Sequence, residues 1–178
     1  APQYTYRGLG MDKELLDWLQ TYAFPEESRY EDPDYAERAY RIFVEKMRTN
    51  ATTRACIFAT AHVPATLLLM EMLEKSGLIT YVGKVSMDRN APAPLCEESP
   101  AVAAAAVEKW LKTSLKKYKN TKPMLTPRFI PSCTDELLTF LGRFQKKYHV
   151  PVQSHLSENL NEIAWVRELC PYSSDYGE

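Results

Sequence analysis

Positive charge is not in excess in this chain: 22 Lys plus Arg stand against 23 Asp plus Glu, a formal net charge of −1. No basic field is available to gather phosphates, so nucleic acid is not an expected partner. Long apolar runs are missing as well. Stretches such as Thr66 to Met70 fall far short of the roughly 20 residues a spanning helix needs, and no charged, then apolar, then small-residue leader opens the chain. The expectation is a protein that neither spans a membrane nor is exported. Cysteine is sparse: Cys56, Cys96, Cys133 and Cys170 form no Cys-x-x-Cys pair, which excludes a disulfide scaffold and suits reduced thiols in the cytoplasm. Only six glycines occur, and none builds the Gly-x-Gly-x-x-Gly turn of a dinucleotide fold. The nearest phosphate-loop lookalike, Gly77 to Val85, puts Val85 where Ser or Thr should meet magnesium.

What is present is a globular composition, 45% hydrophobic, 11% aromatic and 25% charged over 178 residues. A chain of this size buries about 70% of its unfolded surface around one core, so a single domain is the default. The first 50 residues read as helical. Asp12 can cap a segment carrying Leu15, Leu16, Trp18, Leu19 and Tyr22, which Phe24-Pro25 should end, and Asp32-Pro33 opens a second helix with Ala39, Ile42, Phe43 and Met47. From residue 51 to 178 the period changes to four βα units. Thr53 to Ala59 reads as a buried strand, followed by a helix from Pro64 to Gly77. Ile79 to Ser86 is the second strand, and Ser99-Pro100 starts a long helix with Val102, Trp110, Leu111, Leu115 and Tyr118. Lys122 to Phe129 is a third strand, weakened by Pro123 and Pro127, before a helix marked by Leu137, Leu141, Phe144 and Tyr148. Val150 to His155 is the fourth, and a last helix runs from Asn159, with Glu162 completing a capping box, to about Cys170.

Consecutive βα units imply parallel strands with right-handed crossovers, as in a doubly wound sheet or a (β/α)8 barrel, and the missing glycine fingerprint disfavours the first. In such folds reactive groups gather past the C-terminal strand ends. Those positions deliver His62, Asp88 with Asn90, Arg128 with Phe129, and His155 followed by Ser157, Glu158 and Asn159. A histidine, an arginine and a glutamate on one rim suit metal-assisted hydrolysis of a small polar substrate. His155 can hold a metal while Glu158, three residues on, collects and returns a proton. The plain alternative is a hydrogen-bonded core histidine beside a helix-capping acid.

PRFIPSC (Pro127 to Cys133) and VQSHLSEN (Val152 to Asn159) resemble the guanine deaminases, zinc-dependent members of the amidohydrolase superfamily. APQY, WLQTYAFPEE, TTRACIFATAH and YVGKVSMDRN resemble successive blocks of the same family, in colinear order over nearly the whole chain. The resemblance implies a (β/α)8 barrel, of which residues 1–178 would be one partial domain holding about strands two to five after two helices. It implies His155 as a zinc ligand beside the substrate, Glu158 as the proton shuttle, and Arg128, Phe129 and Gln3 as residues that hold the purine. Their chemistry agrees: a guanidinium donates to a purine carbonyl, an amide offers donor and acceptor, and a ring covers a base face. Each has a plain counterpart, with Arg128 a surface ion-pair arginine, Phe129 barrel packing and Gln3 part of a frayed end. His62 and Met87 to Asn90 are expected to brace loops, and His149 to lie solvated on the opposite rim.

The resemblance further implies a His-x-His pair ahead of Ala1, with another zinc-binding histidine and a catalytic aspartate past Glu178. The other barrel half would then come from a parent chain, a homodimer is possible, and the 178 residues alone should not turn over. The implied activity of the parent is hydrolysis of guanine to xanthine and ammonia. Deaminases of other purines, pterins or triazines, and a non-catalytic interaction module, are the alternatives.

Overall fold

The structure, a computed structural model, describes residues 1–173. Its N-terminal part is a helical ribbon. After a 3-10 turn at Pro2–Tyr6, helix α1 (Leu15–Trp18) begins where the Glu14 carboxylate, rather than the expected Asp12, accepts the Leu16 N–H at 3.0 Å. Pro25 does not end this helix, contrary to expectation. A π turn at Leu19–Ala23 sends the Phe24 N–H back to Leu19, and α2 (Phe24–Ser28) continues with Pro25 in its first turn, where a missing donor costs least. Asp32 then caps α3 (Pro33–Arg48) through the Asp34 N–H at 2.9 Å, as its sequence signals. Its buried stripe is Ala36, Ala39, Tyr40 and Val44, whereas Ile42 faces solvent.

Four extended segments follow, all parallel and each beside its predecessor. β1 (Arg54–Phe58) pairs with β2 (Ile79–Gly83), which pairs with β4 (Thr121–Pro123). β3 (Val85–Ser86) pairs with β5 (Thr126–Pro127), and Val152 bridges Leu125. The neighbour order keeps to sequence order without the reversal that marks a doubly wound sheet. All four strand expectations need correction. β1 has a partner on one side only among the described residues, so Ile57 alone of its side chains is buried. The second and third strands each divide in two. Gly83 meets Thr126 so closely that an added Cβ would lie 1.6 Å from its Oγ1, while Pro123 and Pro127 offer no N–H to the ladder. Val150 to His155 is extended rather than a full strand: Pro151 has no donor, and the segment is held by Leu125 N–H to Pro151 O and Gln153 N–H to Leu125 O, both 2.9 Å.

Helices separate the extended segments. α4 (Val63–Ser76) stops at Gly77, whose φ of 82° supplies the left-handed turn that glycine adopts freely. α5 (Pro100–Lys117) is capped by Ser99, α6 (Asp135–Tyr148) by Thr134, and α7 (Leu160–Leu169) by Asn159 and Glu162 in a full capping box. On α5 the buried face is Ala103, Val107, Trp110, Leu111 and Ser114; Val102 and Leu115, expected inside, are exposed. The main core joins α3 to α6 and the strands through Tyr40, Leu69, Leu73, Trp110, Leu125 and Leu137. A second cluster, with Tyr6, Leu19, Phe24, Val85, Met87 and Phe129, packs the ribbon against the strand ends.

Glu74, on α4, fixes the start of β4. Its carboxylate accepts the N–H groups of Lys119, Asn120 and Thr121 at 3.0, 2.9 and 2.8 Å. Burial pushes this carboxyl up, but the three backbone donors together outweigh it and hold the pKa below the usual carboxylate value. A depressed carboxylate contributes stability that is complete above its unfolded pKa and lost as pH falls through the folded one. Glu74→Gln is therefore expected to destabilise by on the order of 1 kcal/mol at neutral pH. In urea unfolding the gap to wild type should close as pH drops below the normal carboxylate range; a gap that persists in acid contradicts the clamp.

Candidate active site

Two adjoining cavities, of about 310 and 110 Å³, meet beside Arg128 and His155; the larger runs along β1 past Ala55 to Ala59, and the smaller lies at the strand ends. Gln3, Arg128 and His155 line both; Phe129 and Glu158 line the smaller and Glu27 the larger. All five residues singled out from sequence thus meet in one place.

His155 arrives there because the extended segment is tied to the end of β5: its N–H donates to Arg128 O at 3.0 Å, and its Nδ1 lies 2.8 Å from that same oxygen. A carbonyl only accepts, so Nδ1 carries a proton, and of the two neutral tautomers this contact selects the one whose lone pair is on Nε2. The half-buried ring packs on Phe58, centroids 4.3 Å apart. That second anchor fixes its plane. Glu158 follows Ser157, whose φ of 55° is uncommon for a residue with a side chain. The Glu158 N–H donates to the buried Glu162 carboxylate at 2.7 Å, as does that of Asn159 at 3.2 Å. The capping box therefore sets the backbone while the exposed Glu158 side chain stays at the cavity.

Arg128 is not a surface arginine. It is 4% exposed, and its two terminal nitrogens donate to the Glu27 carboxylate at 2.5 and 3.0 Å. The ring of Phe24 lies 5.1 Å from the guanidinium carbon. A guanidinium has five N–H donors, and this pairing occupies two of them. Phe129 is both packing and lining: it meets Trp165 edge-on at 6.4 Å and faces the smaller cavity. Gln3 sits half-buried on the 3-10 turn rather than in a frayed end.

Other expectations sort cleanly. The Asp88 carboxylate accepts the N–H and hydroxyl of Thr134 at 2.8 and 2.5 Å, Arg89 donates to Ile130 O, and Asn90 donates to Pro131 O at 2.7 Å. This segment braces a loop, as expected. His62 lies at the N-cap of α4 and lines neither cavity; burial pushes its pKa down, and its Nε2 is buried without a partner among the described residues. His149 closes α6 in the left-handed region. Glu27 was not foreseen, because nothing local marks an acid that pairs with a residue 101 positions away.

As a metal site the described residues offer one corner. No group of three or more His, Cys, Asp or Glu gathers among them. His155 nonetheless has what a ligating histidine needs: its other ring nitrogen is held by a backbone carbonyl, and its free lone pair sits on a cavity shared with a carboxylate.

Residues 1–173 match the model of the Amidohydrolase family, and the chain belongs to that family. Within it the resemblance is to a portion of guanine deaminase. The chain is 41% identical over 177 residues to the guanine deaminase of Rattus norvegicus, which covers 99% of this chain and 39% of that protein. The chain therefore spans well under half the length of that relative. The crystal structure of guanine deaminase from C. acetobutylicum, with bound guanine in its active site, superposes with a TM-score of 0.96 at 47% identity, over 99% of this chain and 42% of that one. An adenosine deaminase from Xanthomonas campestris, solved with bound Zn, shares the fold at a TM-score of 0.71 and 17% identity, covering 94% and 36% of the two chains.

Proposed function

We propose that these residues form about strands two to five of a (β/α)8 barrel, one partial domain of a longer protein that hydrolyses guanine to xanthine and ammonia. The observation that carries this reading is the meeting of Gln3, Arg128, Phe129, His155 and Glu158 on two adjoining cavities, with His155 already held in the ligating tautomer. Likeness to guanine deaminases over nearly the whole chain supports it. His155 would hold the zinc through Nε2, and the metal when bound lowers the pKa of water to about 7. The rest is the work of side chains. Arg128 donates to the purine carbonyl, Gln3 pairs with the ring edge, and Phe129 covers one face. Glu158 moves two protons in turn: the one released by the attacking water goes to the ring nitrogen, and the one on the newly added hydroxyl goes to the amine as its C–N bond breaks, so the new carbonyl forms and ammonia leaves neutral.

One imidazole is too few for tight zinc binding, so the 178 residues alone are inactive in this reading. Four free cysteines, and no helix among the described residues long and apolar enough to cross a membrane, fit a cytoplasmic setting. The test is ammonia release by the complete protein from guanine, adenine and ammeline. The highest kcat/KM on guanine with one xanthine formed per ammonia is expected; preference for another heterocycle, or no ammonia, discards the proposal.

A further inference from the structure

The Arg128–Glu27 pair does more than fasten the ribbon to the strand ends. Glu27 is 3% exposed, lies on α2 and lines the larger cavity beside Arg128. Its carboxylate takes one N–H from each terminal nitrogen of the guanidinium, which fixes the plane and leaves Nε–H and one further N–H on each terminal nitrogen. Phe24 lies against that guanidinium, and Phe129, His155 and the Glu158 carboxylate line the smaller cavity, so Arg128 is the one permanently cationic side chain on its lining among the described residues. Charge and hydrogen-bonding capacity are thereby separated. The cavity receives directional donors from Arg128 while the buried positive charge is cancelled by Glu27.

We propose that Glu27 is a positioning residue which, by clamping and neutralising Arg128, makes the cavity select neutral heterocycles bearing a carbonyl over anionic ones. An anion entering beside the neutralised pair gains no net attraction from Arg128, whereas a neutral carbonyl compound loses little and gains the oriented donors. The inference rests on the reading of the cavity as a purine site, but it can fail separately from it.

The probes are hypoxanthine, which is neutral at neutral pH, and urate, which is an anion there; both carry purine carbonyls. Their dissociation constants are measured by calorimetric titration of the complete zinc-loaded protein, wild type and Glu27→Gln, so that the reading does not depend on turnover. Wild type should prefer hypoxanthine, and Glu27→Gln, which exposes the arginine charge to the ligand, should shift the ratio toward urate by about tenfold or more. A purely structural role would weaken binding of both in proportion, and that result, or an unchanged ratio, overturns the proposal. Should Glu27→Gln not fold, Glu27→Asp keeps the charge while shortening the reach: KM for guanine should rise with the hypoxanthine preference intact. Loss of that preference, or an unchanged KM, overturns it as well. If the wild-type protein releases no ammonia from guanine yet the affinity ratio follows Glu27, the deaminase reading fails and the charge-selection role stands.

Discussion

Glu158→Gln in the complete protein is expected to lower kcat on guanine by about 10²- to 10⁴-fold, the range a positioned proton-transfer group supplies. The amide keeps the size of the carboxylate and much of its hydrogen bonding but takes no proton. KM should change less than about threefold, because an interaction made mainly in the transition state is being removed. The melting temperature should hold. Glu158 is exposed, and its structural contact is its backbone N–H on Glu162, which the substitution leaves in place. Steady-state kinetics with a melting curve on the same preparation check this. A rise in KM at constant kcat would make Glu158 a binding residue and leave the proton shuttle without a candidate in this chain.

His155→Ala carries the second large effect. Outer-shell losses alone reduce metal affinity about 10- to 100-fold, so removing a ligand should reduce zinc affinity by more than about 100-fold. Chelator competition on the complete protein reads this directly, without relying on turnover. The fold should survive, since the half-buried ring contributes one contact with Phe58 and one hydrogen bond to Arg128 O, together about 1 to 2 kcal/mol. Zinc retained at wild-type affinity in a folded variant would remove His155 from the ligand set.

Much of the helical layout is legible in sequence because its signals are local. Asp32-Pro33, Ser99-Pro100, Gly77 and the Asn159–Glu162 box act within four residues of themselves, and each bounds a helix in the structure. Pro25 misleads because a π turn in the preceding residues accommodates it, and nothing in the local composition announces that turn. The strand breaks are hidden for a different reason. They depend on Gly83 lying against Thr126, a contact between neighbours in space that leaves no period in the chain. The same holds for buried charge. Lys84 reads as an ordinary strand residue, yet its side chain is fully buried and paired with Glu97, with burial pushing its pKa down.

For the site, the strand-end rule reaches His155, Glu158, Arg128 and Phe129, and the family resemblance gives them roles and adds Gln3. Neither reaches Glu27. Its neighbour Glu26 bonds Thr5 and Arg29 as a partly exposed acid should, and only the fold separates the two.

The most direct test is anomalous diffraction at the zinc edge from crystals of the complete protein soaked with guanine. The account expects a zinc peak about 2.0–2.1 Å from His155 Nε2, with Nδ1 still on Arg128 O and the purine between Phe129 and Glu158. A zinc site that excludes His155, or a purine bound away from Arg128 and Gln3, would contradict it.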